Sequence, residues 1–387
     1  MKDTMADFLL SEDQKEIREL ARQFSNEKVA PVAIELDQKH EYPIDLIHQM
    51  GDLGMLGACI PEEYGGSNLG VLSHAVIMEE VSRNSGTLGF VVDAHCSLGL
   101  MPMLSGGTEE QKQTYLVPGA QGKELFAFAL TEPHSGSDAG GTKTTAIQDG
   151  DSFVINGAKS WITNVGYAKT YMVCCKTDPA APGSKGISLI MVRDGTPGLV
   201  LGKPEQKLCI RGSQTAQLFF DDCRVPRENL VGKLDGGLPL FMQGLDEGRI
   251  AIGAVSVGMA QGVLERAVKY AKERHTFGKP ITSYQAVSFM LAEMETAICI
   301  GRSMLYSVAK MKDAGLPFRK EAAMLKNYTC EMVNKVCYQG IQILGGNGVS
   351  EEYEVERFYR DARLCTIGEG TTEINSMLIS RFVLDKY

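Results

Sequence analysis

Apolar residues recur three and four positions apart over the first and last parts of the chain, and short β-branched runs fill the part between. Ser11, followed by Asp13 and Gln14, opens a helix whose apolar stripe is Ile17, Leu20, Ala21 and Phe24. The same period returns in Asp45-Leu-Ile-His-Gln-Met and across residues 73–82, with Gly65-Gly66 and Pro102 as breaks. Residues 10–119 are therefore predicted to be helical. Near Glu124 the texture changes. Residues 142–147, 152–155, 170–175, 186–192 and 215–220 read as strands, with Asp149-Gly150-Asp151 and Asn156-Gly157 as tight turns between them. Strands in sequence without intervening helices predict an antiparallel block ending near Pro226, not a parallel nucleotide-binding sheet. From Leu238 the helical period resumes, predicting helices over 250–274, 283–312, 318–344 and 376–385. The fold class is α+β multidomain, with a helical domain (1–122), a middle antiparallel β domain (123–234) and a helical bundle domain (235–387).

Length supports this division, since 387 residues exceed one small core. A formal charge of −9 argues against a nucleic-acid surface, while leaving room for a local basic patch on a phosphorylated ligand. The ten cysteines contain no Cys-x-x-Cys and no zinc spacing, so no metal site is expected. They read as small buried residues in a reducing, cytoplasmic setting. Residues 1–12 lack a secretory pattern, and no run of 18 apolar residues predicts a membrane span.

Several common chemistries are missing. Gly346-Asn-Gly348 and Gly368-Glu-Gly370 both lack the third glycine of a dinucleotide fingerprint, and Gly278-Lys279 is followed by Pro280, not Ser or Thr. There is no His-Glu-x-x-His and no Gly-x-Ser-x-Gly.

Four segments offer chemistry instead. Thr131-Glu-Pro-His-Ser-Gly-Ser-Asp-Ala-Gly140 is a hydroxyl-rich loop able to present N–H groups to a polar ring or phosphate, or simply a surface turn. Trp161-Ile-Thr163 holds the one Trp of the chain, a residue that belongs in a core or over an aromatic cofactor. Arg274-His-Thr-Phe-Gly278 closes a long helix, where Arg suits a phosphate or the helix dipole, and Gln342-Ile-Leu-Gly-Gly-Asn-Gly348 ends another. Glu369 stands between glycines in Ile367-Gly-Glu-Gly-Thr-Thr-Glu-Ile374, free to project toward a ligand or into solvent.

In this order, the motifs resemble the flavin-dependent acyl-CoA dehydrogenases, from residue 8 to the C-terminus. The resemblance rests on Leu130-Thr-Glu-Pro-His-Ser-Gly-Ser-Asp, Trp161-Ile-Thr-Asn, Lys207-Leu-Cys-Ile-Arg-Gly-Ser, Asp246-Glu-Gly-Arg249, Arg274-x-x-Phe-Gly, Gln342-Ile-Leu-Gly-Gly and Arg360-Asp-Ala-Arg-x-x-x-Ile-Gly-Glu-Gly-Thr. Its short-chain members are the most similar. It implies a homotetramer, an electron-transferring flavoprotein as partner, an acyl-CoA substrate and non-covalent FAD between the β domain and the bundle. Leu130, Thr131, Gly136, Ser137, Trp161, Ile162 and Thr163 would line the flavin. Arg274, Phe277, Gln285, Gln342, Gly345 and Gly346 would reach FAD, partly from a neighbouring subunit, and Thr371 and Glu373 would continue its site. Ser137, Asp246, Arg249 and Gly370 would contact acyl-CoA, with Glu369 as the base that removes the α proton.

Two positions depart from the family pattern. Most relatives carry Tyr before the base where this chain has Gly368, which is expected to widen the pocket or loosen the loop. Asp93 falls where relatives carry small or neutral residues, and is expected either as a helix N-cap or as a second acid/base, with His95 and His134 sharing its proton. The second reading suits a bulky alicyclic thioester such as cyclohexane- or cyclohexene-carboxyl-CoA, with elimination across a conjugated system. A straight-chain butyryl-CoA enzyme, an oxidase or enoyl-CoA reductase using the same site, and a non-catalytic acyl-CoA binder are the alternatives.

Overall fold

The computed structural model describes residues 4–387. Helices α1 (Thr4–Leu9), α2 (Glu12–Phe24), α3 (Ala33–Lys39), α4 (Ile44–Asp52), α5 (Gly70–Ser82) and α6 (Gly86–His95) come first. Ser11 caps α2 in a reciprocal capping box with Gln14, as its spacing predicts. A wide turn over Cys96–Leu100 carries α6 into α7 (Met101–Gly106), and the short α8 (Glu109–Gln111) and α9 (Val117–Ala120) complete the block. The continuous helical stretch Gly86–Gly106 is long and apolar enough to cross a membrane by composition alone, yet 89% of its most apolar window is buried, so here it is a core helix.

Eight strands follow: β1 (Leu125–Ala129), β2 (Thr145–Asp149), β3 (Ser152–Thr163), β4 (Ala168–Lys176), β5 (Ile187–Arg193), β6 (Leu199–Leu201), β7 (Thr215–Pro226) and β8 (Leu230–Val231). They join one sheet in the order β6-β7-β3-β2-β4-β5-β8, with β1 also on β4. The expectation of an antiparallel block needs correcting, because β1 runs parallel to β4 and β2 meets β4 in parallel at Thr145 and Lys176. The reason is topological: the hydroxyl-rich loop and the β2–β3 hairpin lie between β1 and β4 and return the chain in the same direction. Asn156-Gly157 is likewise a bulge inside β3, not a turn. Gly157 has φ 144°, and Asn156 is fastened to Asp222 of β7 by two hydrogen bonds.

The last part contains α10 (Gly237–Glu273), a small hairpin of β9 (His275–Thr276) and β10 (Lys279–Pro280), then α11 (Gln285–Asp313), α12 (Arg319–Leu344), α13 (Val355–Cys365) and α14 (Thr372–Lys386). Helix α10 begins 13 residues before the predicted start at 250, so Asp246–Arg249 lies on a helix, and α13 has no counterpart among the predicted elements. Helices before and after the sheet share one hydrophobic core, which also takes Met172, Cys174, Leu189 and Met191 from one face of the sheet. The other face closes a second core around Phe153, Tyr171 and Val225. All ten cysteines are free thiols, seven of them buried.

Candidate active site

Glu369 sits in the turn between α13 and α14 with φ 55°, a left-handed conformation uncommon for a residue with a side chain. The turn is held on both sides. Gly368 N–H donates to Leu364 O at 2.9 Å, Thr372 N–H donates to Thr366 O, and Thr371 Oγ1 caps α14. Its carboxyl lies flat on α10 at Gly248, where a side chain would place Cβ 2.4 Å from Glu369 Oε2. Glycine is what lets the helix and the carboxyl approach this closely.

The facing wall is α6. Asp93 is 2% exposed, and its carboxyl is within hydrogen-bonding reach of both Glu369 and the buried Ser97. Burial and the Asp93 carboxyl together push Glu369 well above the usual carboxylate range, against the pull of Lys326 and Arg249. Asp93 is also raised by burial, with its hydrogen bonds to Glu369 and Ser97 opposing the shift. Oδ1 of Asp93 and Oε2 of Glu369 are buried with no hydrogen-bond partner. Ionising either carboxyl disfavours ionisation of the other.

Asp93 is not an N-cap. Ser85 caps α6 by accepting from Leu88 N–H, and Asp93 lies in the helix's last turn. The expected proton sharing by His95 and His134 also fails. His95 Nδ1 accepts from Phe126 N–H and its Nε2 meets Gly119 O at 3.0 Å, so both ring nitrogens are engaged, and burial pushes its pKa down to about 4. His134 is exposed, with Nε2 at Gly141 O and 3.5 Å from Glu132.

Asp246 and Arg249 of α10 form an ion pair, and Arg249 Nη2 lies 3.9 Å from where a Gly370 side chain would start. Burial raises the Asp246 pKa despite Arg249, and lowers that of Arg249. Asp246 also lines a groove of about 920 Å³ together with Asp178, Ser184, Lys185, Lys312 and Arg319. Behind Asp93, Ser97 borders an apolar cavity of only about 20 Å³ with His74, Leu100, Ile250 and Ala251. At Gly368 a Cβ would make only ordinary contacts, with Leu364 O at 3.7 Å and Ile252 Cδ1 at 3.9 Å.

The residues expected to hold the cofactor fall into two groups. On the sheet side, Leu130 and Thr131 follow β1, while Gly136 and Ser137 lie exposed farther along the same loop. Glu132 fixes that loop by accepting from Lys159 Nζ, Lys143 N–H, Thr144 N–H and the Thr142 hydroxyl. Burial alone would raise Glu132, but Lys159 and the N–H groups hold it down at about 2. Trp161 is 61% exposed with φ 60°, Ile162 is buried in the sheet, and Thr163 is half-buried. The next residue, Asn164, was not singled out by itself, yet it is a fully buried hub. It accepts from Tyr42 Oη and donates to Val91 O and Phe126 O, tying the Trp161 strand to the helix that carries Asp93.

The second group gathers at the opposite end of α13. Gly345 and Gly346 follow α12, and Asn347 binds Tyr270 Oη, one turn before Arg274. Arg274, Phe277 (92% exposed), Gln285 and Gln342 are all exposed there. The eleven residues of α13, roughly 16 Å of helix, run between this cluster and the Thr371–Glu373 end beside Glu369. Within one chain this cluster therefore lies about a helix length from Thr371–Glu373.

Three family models match the chain: the acyl-CoA dehydrogenase N-terminal domain over residues 11–123, the middle domain over 127–223 and the C-terminal domain over 235–384. The chain belongs to the acyl-CoA dehydrogenase family and is a flavin-dependent oxidoreductase. It is 46% identical to a probable acyl-CoA dehydrogenase, YngJ, of Bacillus subtilis, over 97% of this chain and 99% of that one. Butyryl-CoA dehydrogenase of Megasphaera elsdenii superposes with a TM-score of 0.95 at 40% identity, covering 97% of this chain and 99% of that chain. An acyl-CoA dehydrogenase of Bacillus anthracis, solved with FAD, has a TM-score of 0.92 at 35% identity, covering 97% of this chain and 68% of that chain. The cofactor is FAD. The residues present fit it: an exposed Trp at a left-handed irregularity of β3 offers a flat ring, Gly136 leaves the loop backbone open, and Ser160 Oγ is a buried hydroxyl with no partner.

Proposed function

We propose that this enzyme dehydrogenates a short or compact alicyclic acyl-CoA, such as cyclohexane- or cyclohexene-carboxyl-CoA, with Glu369 as the base at the α carbon. The observation that carries this reading is the buried Asp93–Glu369 carboxyl pair, with no side chain at the preceding Gly368. The absence of a side chain at Gly368 leaves a ring the volume that a larger residue would take there. The groove reaching Asp246 takes the CoA moiety, with Lys185, Lys312 and Arg319 close to its phosphates. Ser137, Asp246, Arg249 and Gly370 contact the thioester.

The chemistry follows from the groups in place. The Glu369 N–H polarises the thioester carbonyl, which acidifies the α C–H, and the Glu369 carboxylate takes that proton. FAD, when bound, accepts the hydride lost from the β carbon, so the acyl group is oxidised by two electrons. Leu130, Thr131, Gly136, Ser137 and Trp161–Thr163 hold the flavin ring end. Thr371 and Glu373 hold it from the bundle side. Arg274, Phe277, Gln285, Gln342, Gly345 and Gly346 serve the FAD of a neighbouring copy in a homotetramer, which their placement beyond α13 supports. On a conjugated ring substrate the single proton would instead go to Asp93, in its ionised form and in place of Glu369, from a ring carbon that Glu369 does not reach, with the hydride again leaving to FAD. An electron-transferring flavoprotein reoxidises the enzyme.

The likeness to butyryl-CoA dehydrogenase favours a second reading, straight-chain butyryl-CoA oxidation, in which Asp93 only tunes Glu369. Anaerobic titration of the holoenzyme with butyryl-CoA and with the two ring thioesters separates them. Bleaching by a ring substrate that is lost in Asp93→Asn supports the first reading, and bleaching by butyryl-CoA alone overturns it. Rapid reoxidation by oxygen would replace the flavoprotein partner with an oxidase role.

A further inference from the structure

Lys326 is an anomaly in α12: a lysine with no solvent exposure, whose ammonium donates to a backbone carbonyl, Gly370 O, at 2.7 Å. A buried ammonium costs several kcal/mol after relaxation, so its retention calls for a compensating arrangement. The carbonyl it binds belongs to the residue after Glu369. Both residues are left-handed, at φ 55° and 93°, and a non-glycine residue holds that conformation only where its surroundings over-determine it. Asn375 Nδ2 is the second donor to the same carbonyl, at 2.9 Å.

We infer that Lys326 is a positioning residue for Glu369, fixing the left-handed turn through Gly370 O and supplying a buried positive charge that favours the ionised carboxyl. The inference rests on Glu369 being the base. Every charged or titratable group around the site fits this role. Asp93 on α6 pushes the Glu369 carboxyl toward protonation, while Arg249 on α10, itself paired with Asp246, and Lys326 on α12 oppose it. Facing Lys326 are the thiols of Cys330 on the same helix and Cys365 on α13, together with Glu369 and Arg249. With Arg249 engaged by Asp246, Lys326 is the cation left to balance the carboxyl pair.

The test compares Lys326→Met and Lys326→Arg holoenzymes in single-turnover flavin reduction by butyryl-CoA as a function of pH. FAD content and thermal midpoint serve as folding controls, and Glu369→Gln is run beside them. The acidic limb should move up by about one pH unit in Lys326→Met, the size expected for loss of a nearby charge. The limb should return to its wild-type position in Lys326→Arg. A merely structural lysine would lower the plateau and leave the limb in place, which overturns the inference. If Lys326→Met fails to bind FAD, the limb in Lys326→Arg against Lys326→Gln decides in the same way. Flavin reduction surviving in Glu369→Gln would instead overturn the assignment of the base and leave the limb to another group.

Discussion

The carboxyls of Asp93 and Glu369, 276 positions apart in sequence, meet within hydrogen-bonding reach in a buried site floored by Gly248 of the long helix. Each alters what the other does with a proton.

Replacing Glu369 by Gln removes the proton acceptor while keeping its shape. Flavin reduction by substrate should fall by about 10³-fold, within the range for loss of a general base, with FAD still bound. Stopped-flow absorbance of the yellow protein measures both.

Asp93→Asn removes a group that raises the Glu369 pKa. The sign is fixed: the acidic limb of the rate profile should move to lower pH, so that butyryl-CoA turnover extends into more acidic buffer. A limb that stays in place would show that the two carboxyls do not interact.

Gly248→Ala drives a methyl into Glu369 Oε2, at 2.4 Å before relaxation. The side chain must swing away, and about a 100-fold loss of kcat is expected from misplacement of the base. Gly368→Tyr is the opposite case. The backbone there is not left-handed and a Cβ would make only ordinary contacts, the nearest at 3.7 Å, so the fold should tolerate a side chain. It should lose ring substrates by at least tenfold in kcat/KM and keep butyryl-CoA within a few-fold.

His74 and His95 are buried with pKa values pushed down to about 4. Each remains neutral in the folded protein but takes a proton when unfolded, so the unfolded state binds more protons below about pH 6.5. Their stabilising contribution is complete above that pH and is lost as pH falls toward 4. Urea midpoints measured from pH 7 to pH 4.5 should fall steadily, and His95→Gln should flatten the slope.

Lys159→Met leaves the Glu132 carboxylate without its buried cation, at side-chain exposures of 0% and 2%. Breaking such a pair costs about 3 kcal/mol or more. Differential scanning calorimetry should show a lower thermal midpoint, and FAD affinity should fall with it because Glu132 holds the 130–144 loop.

Much of this was legible in the residues themselves. Helix periods are local, so the Ser11–Gln14 cap, the two helical blocks and the strand-rich middle follow from spacing alone. Motif order carried the family, and Glu369 between its glycines marked the residue proposed as the base. What depended on strand order or helix packing was not legible. The parallel β1–β4 pairing follows from where an excursion returns, and the Asn156-Gly157 bulge from its partner on β7. Asp93 looks like a capping residue by type, but Ser85 takes the cap and the last turn of α6 points Asp93 at Glu369. His95 looks like a proton shuttle by proximity, but two backbone groups engage its ring. Asn164 and Lys326 carry no signal of their own, because their importance lies in the carbonyls they reach on distant elements. Sequence set the elements and the reacting group, since these depend on near neighbours. Tertiary structure alone decided the partners, because burial, charge pairing and proton affinity exist only once those elements pack.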